Sequence, residues 1–252
     1  MTQNGERAPS GGTALVTGAA LRLGAAISRR LAAGGADLVL HCRSSREAAE
    51  GVADEIRAKG RRAWVVAADL DDPAQAEALL PRAVEAAGGP VTVLVNNASI
   101  FLRDRVTGFT LADLERNLRV NAWAPLVLSR ALAAQGVPGA VVNLLDCRIH
   151  DYDEEHAAYH LSKRMLFSLT RMTALEFAPR VRVNAVAPGL ILPPPGEDET
   201  FLVRMAHTNP LHAHGSPEGV AAAVDYLVRA PFVTGQVIHV DGGRHMRGRV
   251  YG

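Results

Sequence analysis

The sequence predicts an α/β protein, doubly wound around a seven-stranded parallel sheet, and three observations carry that expectation. Short apolar runs alternate with amphipathic, alanine-rich helical stretches along the chain, which is the sequence form of repeated βαβ units. No Pro/Gly/Ser-rich linker divides the interior of a chain of 252 residues, a length that suits one large domain. Gly18 and Gly24 punctuate the passage from the first apolar run to the first helix, where a strand must turn tightly.

The elements follow in order. A strand at 13–17 leads to a helix at 23–33, a strand at 37–41 to a helix at 46–59, and a strand at 62–67 to a helix at 73–87. The fourth strand, 91–96, precedes a long helix at 111–135; the fifth, 140–145, precedes a helix at 155–177; the sixth, 181–186, precedes one at 217–229, and 237–240 closes the sheet. The helices cover both faces of the sheet, and within 155–177 Met165, Leu166, Leu169 and Met172 form a stripe that reads as core packing. Two segments break the alternation. Residues 147–156 are polar and acidic, and 190–216 are long, proline-containing and without a period. Both follow strands at the edge where ligands bind in such sheets, so both are expected to shape a substrate site.

Residues 1–12 are expected to be a flexible polar segment before one domain spanning 13–252, with a substrate loop at about 190–216. Glu6 and Arg7 stand where a signal peptide would be apolar, and no apolar run reaches spanning length. Lys+Arg 27 against Asp+Glu 26 leaves a net charge of +1, which offers no footprint for nucleic acid or an anionic membrane. The two cysteines, Cys42 and Cys147, have no zinc or redox spacing and suit a reducing cytoplasm. His150, Asp151, Asp153, Glu154, Glu155, His156 and His160 crowd one region, with His212 and His214 in the second loop, but no spacing fixes three ligands and no metal is expected.

The chemistry is concentrated in three places. In Thr17-Gly18-Ala19-Ala20-Leu21-Arg22-Leu23-Gly24 the glycines allow close backbone approach, and free N–H groups at the helix start attract a pyrophosphate. At the end of the second strand, His41-Cys42-Arg43-Ser44-Ser45-Arg46 lacks the acidic residue that would bind a ribose diol. Arg22, Arg43, Ser44 and Ser45 could instead receive a 2′-phosphate, which predicts NADPH over NADH. Tyr159 and Lys163, four apart, share a helix face, so the ammonium can ease ionisation of the phenol and make it a proton donor near neutral pH; Asp146 lies upstream of the pair.

Thr17-Gly18…Gly24, Asp69-Leu70, Asn96-Asn97-Ala98, Asn121, Tyr159-x-x-x-Lys163, Pro188-Gly189 and Thr234-Gly235-Gln236…Asp241-Gly242-Gly243 together resemble the short-chain dehydrogenase/reductase family over nearly the whole chain. The resemblance implies a Rossmann-type fold and a homotetramer. It implies that Gly18, Leu23 and Gly24 form the cofactor turn, with Asp69 and Leu70 beside the adenine and Asn97 and Ala98 beside its ribose. Pro188, Gly189 and Ile191 would lie towards the nicotinamide, and Asn121 would help bridge a water to Lys163. Three departures point to one branch: Arg22 replaces the usual middle glycine, Ser99 and Phe101 follow Asn-Asn-Ala, and Asp146 stands where serine is common. This combination is similar to the pteridine reductases, which reduce dihydropterins or dihydrofolate with NADPH.

A pterin is flat and polar. Phe101 could stack on it, Arg22 and Ser99 could hydrogen-bond its ring, and Tyr159, oriented by Asp146, could protonate the nitrogen beside the carbon that receives hydride. Asp146 could equally cap a local turn. Two competing readings are a carbonyl or 3-oxoacyl reductase of the same family and a non-catalytic NADPH-binding sensor.

Overall fold

The computed structural model describes residues 11–151, 154–194 and 196–247. Residues 1–10 of the segment expected to be flexible, Asp153 in the acidic loop and the chain end from 248 lie outside the described residues.

The strands are β1 (Thr13–Val16), β2 (Asp37–Cys42), β3 (Ala63–Ala67), β4 (Val91–Asn96), β5 (Gly139–Leu144), β6 (Val181–Pro188) and β7 (Val237–Val240). All pair in parallel in the order β3-β2-β1-β4-β5-β6-β7. The chain starts in the middle, winds outward to β3, then returns to β4 on the other side of β1. The helices on its faces are α1 (Arg22–Ala33), α2 (Arg46–Ala58), α3 (Pro73–Ala87), α4 (Leu111–Leu118), α5 (Ala124–Ala134), α6 (Ala157–Glu176) and α8 (Pro217–Arg229), with a short α7 (Glu199–Met205) in the loop after β6.

Alternation along the buried strands feeds two cores. Leu38 and Leu40 of β2 belong to the core with Ile27 and Leu31 of α1 and Leu227 of α8, while Val39 belongs to the opposite core with Leu79 and Leu80 of α3 and Leu128 of α5. Helix starts carry local signals. Asp72 accepts from the N–H groups of Ala74 and Gln75 ahead of Pro73, Thr110 and Asp113 form a reciprocal capping box, and Ser216 caps α8 before Pro217.

Three expectations are corrected. The helix expected at 111–135 is divided by a π turn, Arg119–Trp123, because Pro125 cannot supply the N–H that an α-helix would return to the Asn121 carbonyl. The segment 190–216, in which no helical period is expected, carries α7, capped by Asp198. The apolar stripe expected on α6 is buried only in part: Leu166 is inside and Leu169 packs against a core cluster, but the methionines are not. Met165 and Met172 are exposed, and the buried positions include Tyr159, Ser162, Lys163, Leu166, Thr170 and Thr173. Polar groups can lie inside because each has a partner: Ser162 meets Asn121, Lys163 meets the Leu144 carbonyl, and Thr170 accepts from Asn143.

The turn between β1 and α1 tolerates no side chain at Gly24, where a Cβ would stand 2.0 Å from the Gly18 carbonyl oxygen. Gly24→Ala is therefore expected to lower stability by about 1–3 kcal/mol or more through overpacking, read as a fall in the urea midpoint at unchanged m-value.

Candidate active site

The strand order reverses between β1 and β4, and at the carboxyl ends beside that point the chain encloses a cavity of about 540 Å³. Fourteen of the residues expected to hold a cofactor line it: Gly18, Arg22, Leu23, Gly24, Arg43, Asp69, Leu70, Asn97, Ala98, Tyr159, Lys163, Pro188, Gly189 and Ile191. Ser99 and Asp146, expected at the substrate, line it as well. Ser44, Ser45, Phe101 and Asn121 do not.

One end of the cavity is built by the glycine turn. Gly18 takes φ +63°, open to glycine without strain, and the Asn97 amide donates to the carbonyls of Thr17 and Gly18 at 2.9 and 3.1 Å. Thr17 Oγ1 accepts from the N–H groups of both Asn97 and Ala98, so β4 and the turn form one rigid floor. No side chain caps α1, which leaves its first N–H groups available to an anion. Arg43 is exposed at the end of β2 on the cavity wall.

Arg22 stands at φ +53°, a left-handed conformation that explains why glycine suits this position and that costs a residue with a side chain about 1 kcal/mol. Its guanidinium donates to the Pro193 carbonyl at 2.8 Å, so it joins the glycine turn to the loop after β6. His41 is a residue the motif reading passed over. It is buried on the cavity wall, its Nδ1 3.1 Å from the Gly18 N–H and its Nε2 3.0 Å from the Ala68 carbonyl. The available signal was only its place, a histidine ending a strand opposite a glycine turn.

At the other end stand the groups expected to do chemistry. The Tyr159 hydroxyl donates to Asp146 Oδ2 at 3.0 Å, and Asp146 Oδ1 accepts from the Arg148 N–H at 2.8 Å. The aspartate thus caps its turn and holds the tyrosine at once. Lys163 donates from Nζ to the Leu144 carbonyl at 2.8 Å and lies 5.7 Å from the Tyr159 ring centre. Burial pushes its ammonium down to about 8, opposed by the nearby Asp146 carboxylate.

Asn121 is wholly buried and its side chain is engaged: Oδ1 accepts from Ser99 Oγ and the Ile100 N–H, and Nδ2 donates to the Ile100 carbonyl and Ser162 Oγ. Pro125, four residues on, has no N–H to donate to the Asn121 carbonyl. Phe101, 58% exposed, stacks on His156 at 3.9 Å and meets Tyr159 edge-on at 4.6 Å. It stands over the tyrosine and outside the cavity wall.

A family profile described as enoyl-(acyl carrier protein) reductase matches residues 18–245. An uncharacterized oxidoreductase of Mycobacterium tuberculosis is 36% identical over 244 residues, covering 91% of this chain and 90% of the relative. The chain belongs to the short-chain dehydrogenase/reductase family. A 3-oxoacyl-[acyl-carrier-protein] reductase of Aggregatibacter actinomycetemcomitans is 32% identical over 240 residues, covering 92% of this chain and 98% of its own. Among solved structures, FolM alternative dihydrofolate reductase 1 from Brucella canis, complexed with NADP, superposes with a TM-score of 0.88 at 35% identity, covering 96% of this chain and 97% of that one. As a member of this family the protein is an oxidoreductase, and among its described residues no helix is long and apolar enough to cross a membrane.

The buried ammonium sets a pH signature. Below about 8 it is charged in the folded and unfolded chain alike, and its desolvation opposes folding; from about 8 up to 10.5 the unfolded chain holds a proton that the folded one has released. Wild type should therefore gain stability over Lys163→Met across that window and not below it, as urea titrations of the cofactor-free proteins would measure.

Proposed function

We propose that the protein is an NADPH-dependent reductase of dihydropterins or dihydrofolate. The observation that carries this reading is the hydrogen bond from Tyr159 to Asp146 Oδ2 on the wall of the cavity. An ionised carboxylate accepts and cannot donate, so it does not do what a serine hydroxyl does for a ketone oxygen. It can orient the phenol that gives its proton to a ring nitrogen, and it can reprotonate the phenolate only after it has itself taken a proton from solvent.

The residues present fit a phosphorylated dinucleotide. The uncapped start of α1 and the close glycine turn suit a pyrophosphate, and Arg43, with no acidic residue beside it at the end of β2, suits a 2′-phosphate. The NADP in the Brucella canis relative supports the same assignment. Bound there, the dihydronicotinamide would supply hydride. Asp69, Leu70, Asn97, Ala98, Leu23 and Ile191 would hold the cofactor along the strand ends, and Pro188 and Gly189 would give it room. Tyr159 would deliver the proton to the nitrogen beside the reduced carbon. Lys163, tied to the Leu144 carbonyl, would favour the phenolate left behind, and the Asn121 carbonyl would hold a water on the proton path. Ser99, Arg22 and Phe101 would bind the pterin, Phe101 by turning its ring over the cavity mouth, and the loop 190–216 would cover it.

Ser44 and Ser45 are exposed beside Arg43 and would reach only a 2′-phosphate that projects from the cavity. The same reading carries a cytoplasmic homotetramer, supported by the exposed Trp123, Met172 and Leu175 on the helices expected to meet a neighbour. The competing reading, a 3-oxoacyl reductase, is favoured by the name of the Aggregatibacter relative and opposed by Asp146.

Assays of NADPH turnover with dihydrobiopterin, dihydromonapterin, dihydrofolate and an acetoacetyl thioester decide between the two. Tyr159→Phe is expected to lower pterin reduction about 10²–10⁴-fold and Asp146→Ser to lower it less, both with NADPH affinity retained. Robust pterin reduction by Tyr159→Phe, or wild-type activity on the thioester alone, would overturn the proposal. Removing one charged phosphate contact with Arg43→Ala is expected to raise the KM for NADPH about tenfold and leave that for NADH nearly unchanged.

A further inference from the structure

The structure assigns His41 a positioning role in cofactor binding: its neutral imidazole, as the Nε2–H tautomer, fixes the Gly18 amide of the glycine turn against the segment that begins at Ala68. The inference rests on the dinucleotide reading of the cavity. Gly18 opens the turn at one end, and Asp69 and Leu70 follow Ala68 on the wall assigned to the adenine. His41 lies between them, only 2% exposed.

Its partners dictate the tautomer. The Gly18 N–H can only donate, so Nδ1, 3.1 Å away, must carry a lone pair; the Ala68 carbonyl can only accept, so Nε2, 3.0 Å away, must carry the proton. The backbone carbonyl of His41 accepts from the next amide, Ala19 N–H, at 2.8 Å. Two successive amides of the turn are therefore held by one residue. A second proton on the ring would set N–H against N–H at Gly18 and break the tie.

Charged groups reach the ring from two sides, Asp69 after β3 and Arg82 from α3, with opposite effects. Burial outweighs both and holds the imidazole below its ordinary 6.5. As pH falls below 6.5 the unfolded chain takes a proton that the folded chain resists, so folding stability falls with acid, and the turn's competence falls with it once the ring is charged. Leucine at this position would leave the Gly18 N–H and the Ala68 carbonyl without their partner. Asparagine is different, because its amide oxygen can stand where Nδ1 stands and carries no titrating proton.

The test combines the ring's ¹⁵N spectrum in wild-type protein with fluorescence titrations of NADPH between pH 5.5 and 8 for wild type, His41→Leu and His41→Asn. The spectrum should show the Nε2–H tautomer at pH 7.5. His41→Leu should weaken NADPH binding about tenfold or more at pH 7.5, and His41→Asn should recover much of that loss. Protonation of the 2′-phosphate affects every variant alike, so the acid sensitivity present in wild type and missing from His41→Asn belongs to the ring. An Nδ1–H or charged ring at pH 7.5, wild-type affinity in His41→Leu, or an Asn variant no better than Leu would overturn the assignment. Should His41→Leu not fold, the wild-type titration decides, since ring protonation must coincide with loss of affinity. Absence of NADPH binding by wild type would instead overturn the dinucleotide reading, and the spectrum would still judge the tautomer.

Discussion

A buried ammonium must be given hydrogen-bond acceptors, and the way this chain supplies one to Lys163 governs the arrangement of the site. The acceptor is the Leu144 carbonyl at the carboxyl end of β5. That bond draws the polar face of α6, and not its methionine-rich face, onto the sheet. Once that face is inside, Thr170 meets Asn143, Ser162 meets Asn121 in the π turn, and Tyr159, one helical turn before Lys163, arrives beside Asp146 just beyond β5. Tyr159 and Lys163 are thus placed by satisfying polar groups more than by hydrophobic fit.

Several residues carry two duties. Asp146 uses one carboxylate oxygen to shape its own turn and the other to hold Tyr159, so one side chain both caps the turn and orients the phenol. Arg22 occupies a left-handed position that glycine would accept freely, and its guanidinium reaches Pro193 in the loop after β6. The strain stands where the glycine turn and the loop after β6 meet, at the cavity wall, which is where a functional constraint can justify it. Asn121 spends its side chain on fixing Ile100 and Ser99, and Pro125 cannot donate to its carbonyl.

The sheet was legible because buried parallel strands are short apolar runs and the helices between them are amphipathic, and the motif residues were legible because glycine turns and the Tyr-Lys pair have fixed spacing. Much of what was missed consists of polar atoms satisfied by partners distant in sequence. The buried stripe of α6 contains Ser162, Lys163, Thr170 and Thr173, and a period search that weighs hydrophobicity selects Met165 and Met172 instead. The π turn depends on which carbonyl Pro125 deprives, and His41 matters through Gly18 and Ala68, 23 and 27 residues away. Phe101 was read as facing a ligand; its ring lies on His156, a contact that appears only when the start of α6 is brought beside the segment after β4.

In the proposed reading, Asp146 turns a family fold suited to carbonyls toward a nitrogen heterocycle. A single-vessel competition tests it most directly, with dihydrobiopterin and an acetoacetyl thioester offered together at equal concentration to the wild-type protein and NADPH. The pterin should be consumed first, with the larger kcat/KM. Consumption of the thioester with the pterin left intact would contradict it.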